Sequence, residues 1–130
     1  MVRESPVMDI ENHLQADPSP RARVRRVADA VARDPARINS IAHLADLAAM
    51  STRSLSRLFV LETGITPARF VERARVQLAR RLLQREGTRL AWVAACAGFE
   101  SAERMRRAFH REIAMSPRAY ASVGSGTMRR

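Results

Sequence analysis

The stretch GFESAERMRRAFHREIAMSPRAY, residues 98–120, decides the fold. It opens on a Gly-aromatic turn, Gly98-Phe99, and Ser101 follows in the position of a helix N-cap. The spacing predicts a helix over 102–112, with Met105, Ala108, Phe109 and Glu112 on one side and Arg104, Arg107 and Arg111 on the other. Ser116-Pro117 then restarts the chain as cap plus first-turn proline, which predicts a short last helix over 117–122 that contributes Tyr120. A helix with guanidiniums on one side and an apolar stripe on the other suits the major groove of DNA, provided a scaffold holds it there.

The same skeleton occurs 50 positions earlier. Leu55 answers Met105, Phe59 answers Phe109, Gly64 answers Ala114, Thr66 answers Ser116, Pro67 answers Pro117 and Phe70 answers Tyr120. Just upstream, Ala45, Ala49 and Met50 answer Ala94, Gly98 and Phe99 at an offset of 49. Two copies make a duplicated module; a stacked array needs three or more.

Outward from the repeat the chain reads as helices throughout. Residues 1–19 form an arm or linker, with Val7, Ile10 and Leu14 at helical spacing after Ser5-Pro6 and a break at 17–20. Ser19-Pro20 caps a helix over about 21–33, whose buried stripe is Val24, Val27, Ala28 and Val31. Ser40 caps a helix over 41–48 with Ile41, Leu44, Ala45 and Ala48 inward, and Ala49-Met50 makes the turn. The helix capped by Ser51 buries Leu55, Leu58 and Phe59 and exposes Thr52, Arg53, Ser56 and Arg57, completing a helix-turn-helix. Thr66-Pro67 begins a long helix over 67–86, with Leu78, Leu82 and Leu83 expected to pin it to both modules. A helix over 90–97 is expected to bury Trp92, Val93, Cys96 and Ala97, and the tail after residue 123 to be flexible. The expected fold is all-α, with seven to eight helices. One subdomain covers 20–66, a linker helix 67–86, a second subdomain 87–122 and a basic tail 123–130.

Composition narrows the partners. Formal net charge is +10 over 130 residues, and all 23 basic residues are arginine. Residues 69–130 hold 14 Arg against 5 acids, residues 1–68 only 9 against 8. That balance points to a polyanion, nucleic acid before an acidic membrane. A single cysteine excludes an internal disulfide and fits a reducing cytoplasm. No apolar run is long enough for a membrane helix, and the N-terminus lacks the pattern of a signal peptide. His13, His43 and His110 stand apart, so no metal site is expected. With no Gly-rich phosphate loop and no nucleophile motif, no catalytic residues and no cofactor are expected.

The repeat and residues 75–120 resemble the AraC/XylS family of bacterial transcription regulators. The resemblance rests on Arg75 and Leu82-Leu83 in the long helix, Val93-Ala94, Gly98-Phe99, Met105 with Phe109, and Ser116-Pro117 with Tyr120. Cys96 and Ser101-Ala102-Glu103 look most like the branch whose larger members carry an amidotransferase-like sensor. Ala114 stands where the family usually has Gly, Met105 where Phe or Leu is common, and Ala121 where Arg is usual. The resemblance implies a sequence-specific regulator that binds double-stranded DNA; RNA polymerase is the example of a partner for the basic surface if it docks on protein. It implies a domain that acts as a monomer, or as a dimer where a sensor domain exists. The chain has no room for such a sensor, so the expectation is either a protein acting alone or a fragment of a larger regulator.

By that resemblance the base readers are Arg53, Ser56 and Arg57 in the first recognition helix and Ala102, Glu103, Arg104 and Arg107 in the second, with Thr52 and Arg111 as further DNA-binding residues of the same helices. Ser51, Thr66, Ser101, Arg106 and Ser116 are candidates for phosphate contacts. The plain alternatives stay open. The arginines can be a solvated helix face, and Glu103 either accepts from cytosine N4 or serves as a first-turn acid. Arg106 points to a salt bridge or to phosphate. Cys96 reads as core before redox, and Trp92 and Phe99 as core before a stacking platform. A non-specific or architectural nucleic-acid binder and a basic protein-docking module remain as other function classes.

Overall fold

The computed structural model describes residues 19–38 and 40–128, the side chains of 124–128 excepted. The arm over 1–18, His13 and the terminal Arg129-Arg130 lie outside the described residues. Among the described residues seven α-helices follow in order: α1 (Pro20–Arg33), α2 (Ile41–Ala48), α3 (Thr52–Thr63), α4 (Pro67–Leu83), α5 (Leu90–Ala97), α6 (Ala102–Ile113) and α7 (Pro117–Met128), with a 3-10 turn at Pro35–Arg37. Among the described residues there is no strand.

Capping punctuates the chain. Ser19, Ser40, Ser51, Thr66, Ser101 and Ser116 each accept the backbone N–H three residues on, at 3.0–3.2 Å. Each such cap stabilises its helix by about 1 kcal/mol. Among the α-helices of the described residues only α5 starts without a side-chain cap. The helix ends are left-handed at Ala49, Gly64, Gly98 and Ala114. Ala49 (φ 57°) and Ala114 (φ 60°) hold that conformation despite their Cβ, a strain of about 1 kcal/mol each.

The repeat returns bond for bond. Met50 N–H donates to Ala45 O and Phe99 N–H to Ala94 O, while Gly64 N–H donates to Val60 O and Ala114 N–H to His110 O. Phe59 and Phe70 meet edge to face at 5.2 Å, as Phe109 and Tyr120 do at 6.3 Å.

Two cores result. Val24, Val27, Val31, Leu44, Leu55, Phe59 and Val71 form the first, and Val76, Ala79, Leu83, Val93, Met105 and Phe109 the second. Helix α4 enters both. Its Leu78 and Leu82 pack only on the second, with Leu83 inside it, so those leucines do not pin both modules. Val71, with Phe70 and Ala74 against it, ties α4 to the first.

Three expectations change. Helix α4 stops at Leu83, because Gln84 and Arg85 donate to Arg81 and Leu82 in a tightened last turn before Gly87 (φ 76°). Helix α7 continues through the tail to Met128. Cys96 and Trp92 are exposed, not core, with Trp92 at 45%. The reason lies in α5 itself, LAWVAACA, which is apolar all round. The spacing inside such a helix does not say which side turns inward. Val93, Ala94 and Ala97 take the core.

Candidate nucleic-acid interface

Helices α3 and α6 are the second helices of the two helix-turn-helix units, and each presents its first turns to solvent. On α3, Thr52, Arg53 and Arg57 are exposed and Ser56 is half-buried. Neither Arg53 nor Arg57 has an ion-pair partner among the described residues, so both guanidiniums stand uncommitted on the helix surface.

On α6 the arginines are engaged. Arg104 pairs with Glu100 at 3.3 Å. Arg106 and Arg107 share Glu103, at 2.6 and 3.1 Å. Hydrogen bonds from Arg106, then from Arg107, hold the Glu103 carboxyl down at about 2. Glu103 therefore carries full charge at neutral pH and already has two donors. Exposed pairs of this kind are screened by solvent and hold weakly, so Arg107 can turn to a nucleic acid at small cost. Ala102, placed among the base readers, is half-buried.

Arg111 departs furthest from its expected role. Its guanidinium donates to both oxygens of Glu72 on α4, at 2.7–3.2 Å. That carboxylate raises the Arg111 pKa and turns the side chain toward α4. The caps Ser51, Thr66, Ser101 and Ser116 use their oxygens on backbone N–H groups, and each hydroxyl hydrogen remains to donate to a phosphate.

Sequence reasoning missed Glu72 and Glu112. Glu112 lies on the inward stripe of α6 and its side chain is only 5% exposed. Burial opposes its charge, but the hydrogen bonds it accepts from Arg69 and Arg73 prevail and lower its pKa. A carboxylate three residues after a core phenylalanine was the available signal, since a buried charge demands partners. Among the described residues no group of three His, Cys, Asp or Glu is placed to hold a metal. No helix among them is long and apolar enough to cross a membrane.

Comparison with known proteins agrees with this geometry. A family model described as a helix-turn-helix domain matches residues 44–122. The HTH-type transcriptional regulator Rv1931c of Mycobacterium tuberculosis is 45% identical over 80 residues, 62% of this chain and 31% of that protein. The DNA-binding domain of AdpA, a global transcriptional factor solved with a target DNA, aligns with a TM-score of 0.72 and 31% identity, over 86% of this chain and 98% of that one. A transcriptional regulator with an AraC-type DNA-binding domain from Chromobacterium violaceum aligns with a TM-score of 0.71 over 80% of this chain and 93% of that one; at 20% identity it speaks to fold alone. The chain spans about three tenths of the length of the curated relatives it matches. With its two capped helix-turn-helix units and their shared helix, the chain belongs to the AraC-type helix-turn-helix family of DNA-binding domains.

Proposed function

We propose that the chain is a sequence-specific DNA-binding transcription regulator that places α3 and α6 in adjacent major-groove segments. One observation carries this reading: a single chain presents two recognition helices with the same caps, the same turn and the same aromatic pair. The two copies are related by a shift along the sequence, which favours a direct, non-palindromic site read by a monomer. Helix α4 has 17 residues, a length of about 25 Å, against about 34 Å between successive major-groove faces. A modest bend of the duplex brings the two grooves closer and makes up part of the difference. Such a protein works in the cytoplasm, where bacterial DNA lies.

Selection of sites from random duplexes, followed by footprinting with monodisperse monomer, tests this. The expected result is protection of about two turns on one face, with scrambled duplex bound at least about 10³-fold more weakly. A single protected groove, or a need for an inverted repeat and two chains, overturns the model. Equal affinity for scrambled duplex favours an architectural binder.

Arg57 and Arg107 are the proposed base readers. Replacing either with alanine is expected to cost about 1 to 3 kcal/mol on the selected site and to relax preference at one base pair. Binding isotherms on selected and random duplex check it. Equal losses on both would assign the side chain to phosphate.

A further inference from the structure

Two sets of contacts join the modules away from the recognition surfaces. In the first, Arg75 of α4 donates from Nε to Pro35 O at 3.2 Å and from Nη2 to Ile38 O. The turn of the second module fits against the same place. A Cβ on Gly98 would lie 2.7 Å from Ala36 Cα and 3.0 Å from Arg75 Nε, so only glycine allows this approach. In the second set, α6 is clamped to the first half of α4. Glu112 accepts from Arg69 at 2.8 Å and Arg73 at 3.3 Å, and Glu72 accepts from Arg111 at 2.7 Å. That half of α4 carries Val71 into the first core on its other side. Recognition helix α6 is therefore tied, through carboxylates, to an element of the first module.

We propose that Glu72 and Glu112 are positioning residues that fix the spacing and angle between the two recognition helices, so that the protein selects operators by the number of base pairs between their halves. This rests on the DNA-binding reading above. The two contact sets lie at different places along α4, around Arg75 and around residues 69–73, so together they oppose both a hinge and a twist of one module on the other. One inserted base pair moves the far half-site by about 3.4 Å and turns it by about 34° around the duplex axis. A clamped pair of helices meets that change only by deforming the DNA. An unclamped pair follows it by moving module on module.

The test uses the full chain and three duplexes, one with the selected spacing and two with a base pair added or removed between the half-sites. Wild type is expected to lose on the order of tenfold or more in affinity on either altered duplex. The doubly substituted Glu72→Gln, Glu112→Gln protein is expected to stay within about threefold on the selected spacing. Its loss on the altered ones should shrink to about threefold, because a guanidinium holds a neutral amide oxygen more weakly than a carboxylate. A purely structural role lowers affinity equally on all three, and an unchanged penalty in the variant does the same damage to the idea; either result overturns it. Circular dichroism reports whether the double variant folds. If it does not, Glu72→Gln alone, at a more exposed carboxylate, is read in the same way. Wild type that binds none of the three duplexes overturns the DNA reading itself, whereas equal wild-type affinity for all three, or strict spacing in both proteins, overturns only the clamp.

Discussion

Raising salt from 50 to 200 mM is expected to weaken binding to the selected duplex by about 10³- to 10⁵-fold, if about 6 to 10 phosphates are neutralised. The charge layout motivates this. Residues 69–130 carry 14 Arg against 5 acids, and four of those acids, Glu72, Glu100, Glu103 and Glu112, are paired with arginines. The excess guanidinium charge has no counterpart within the same half of the chain. Each phosphate it meets releases condensed counterions, and log K falls against log salt with a slope of about −0.9 per phosphate. Fluorescence anisotropy over a salt series measures the slope. A slope near zero would remove DNA as the partner and leave protein docking as the reading of the basic face.

Phe109→Ala is expected to cost about 3 to 5 kcal/mol. Phe109 is fully buried, with Met105 and Val93 in the same core and Tyr120 edge to face at 6.3 Å. Phe99 and Tyr120 pack only at the edge of that core, so truncation of Phe109 leaves a hole at its centre. A domain with about 5 to 15 kcal/mol of total stability loses a large share of it. Thermal denaturation should show the midpoint falling by roughly 10 °C or more. An unchanged midpoint would mean that the apolar face of α6 was assigned to the wrong side.

The features legible in the sequence are those whose physics is local. Serine and threonine caps, first-turn prolines and the Phe59/Phe109 register lie within a few residues of what they determine, and the structure places them accordingly. The candidate site was legible in outline: Arg53, Arg57, Arg104 and Arg107 are exposed on the expected helices. The rest depended on distant residues. Arg111 meets a carboxylate 39 positions away, and Glu112 meets guanidiniums 39 and 43 positions away. No periodicity within α6 reveals those partners. Helix α5 failed for another reason: with every residue apolar, its sequence does not point, and Trp92 and Cys96 fell on the outer side.

Helix α4 supplies Val71 to one interior and Val76, Ala79 and Leu83 to the other. Neither half keeps this helix whole on its own: a cut between Val71 and Val76 leaves each interior its side chains but halves the helix that carries them. Partial opening of one half therefore strips support from its neighbour, and the two copies are expected to unfold as a single cooperative unit. Sequence change in that one helix is then felt by both copies at once, which ties together the drift of segments that began as independent duplicates.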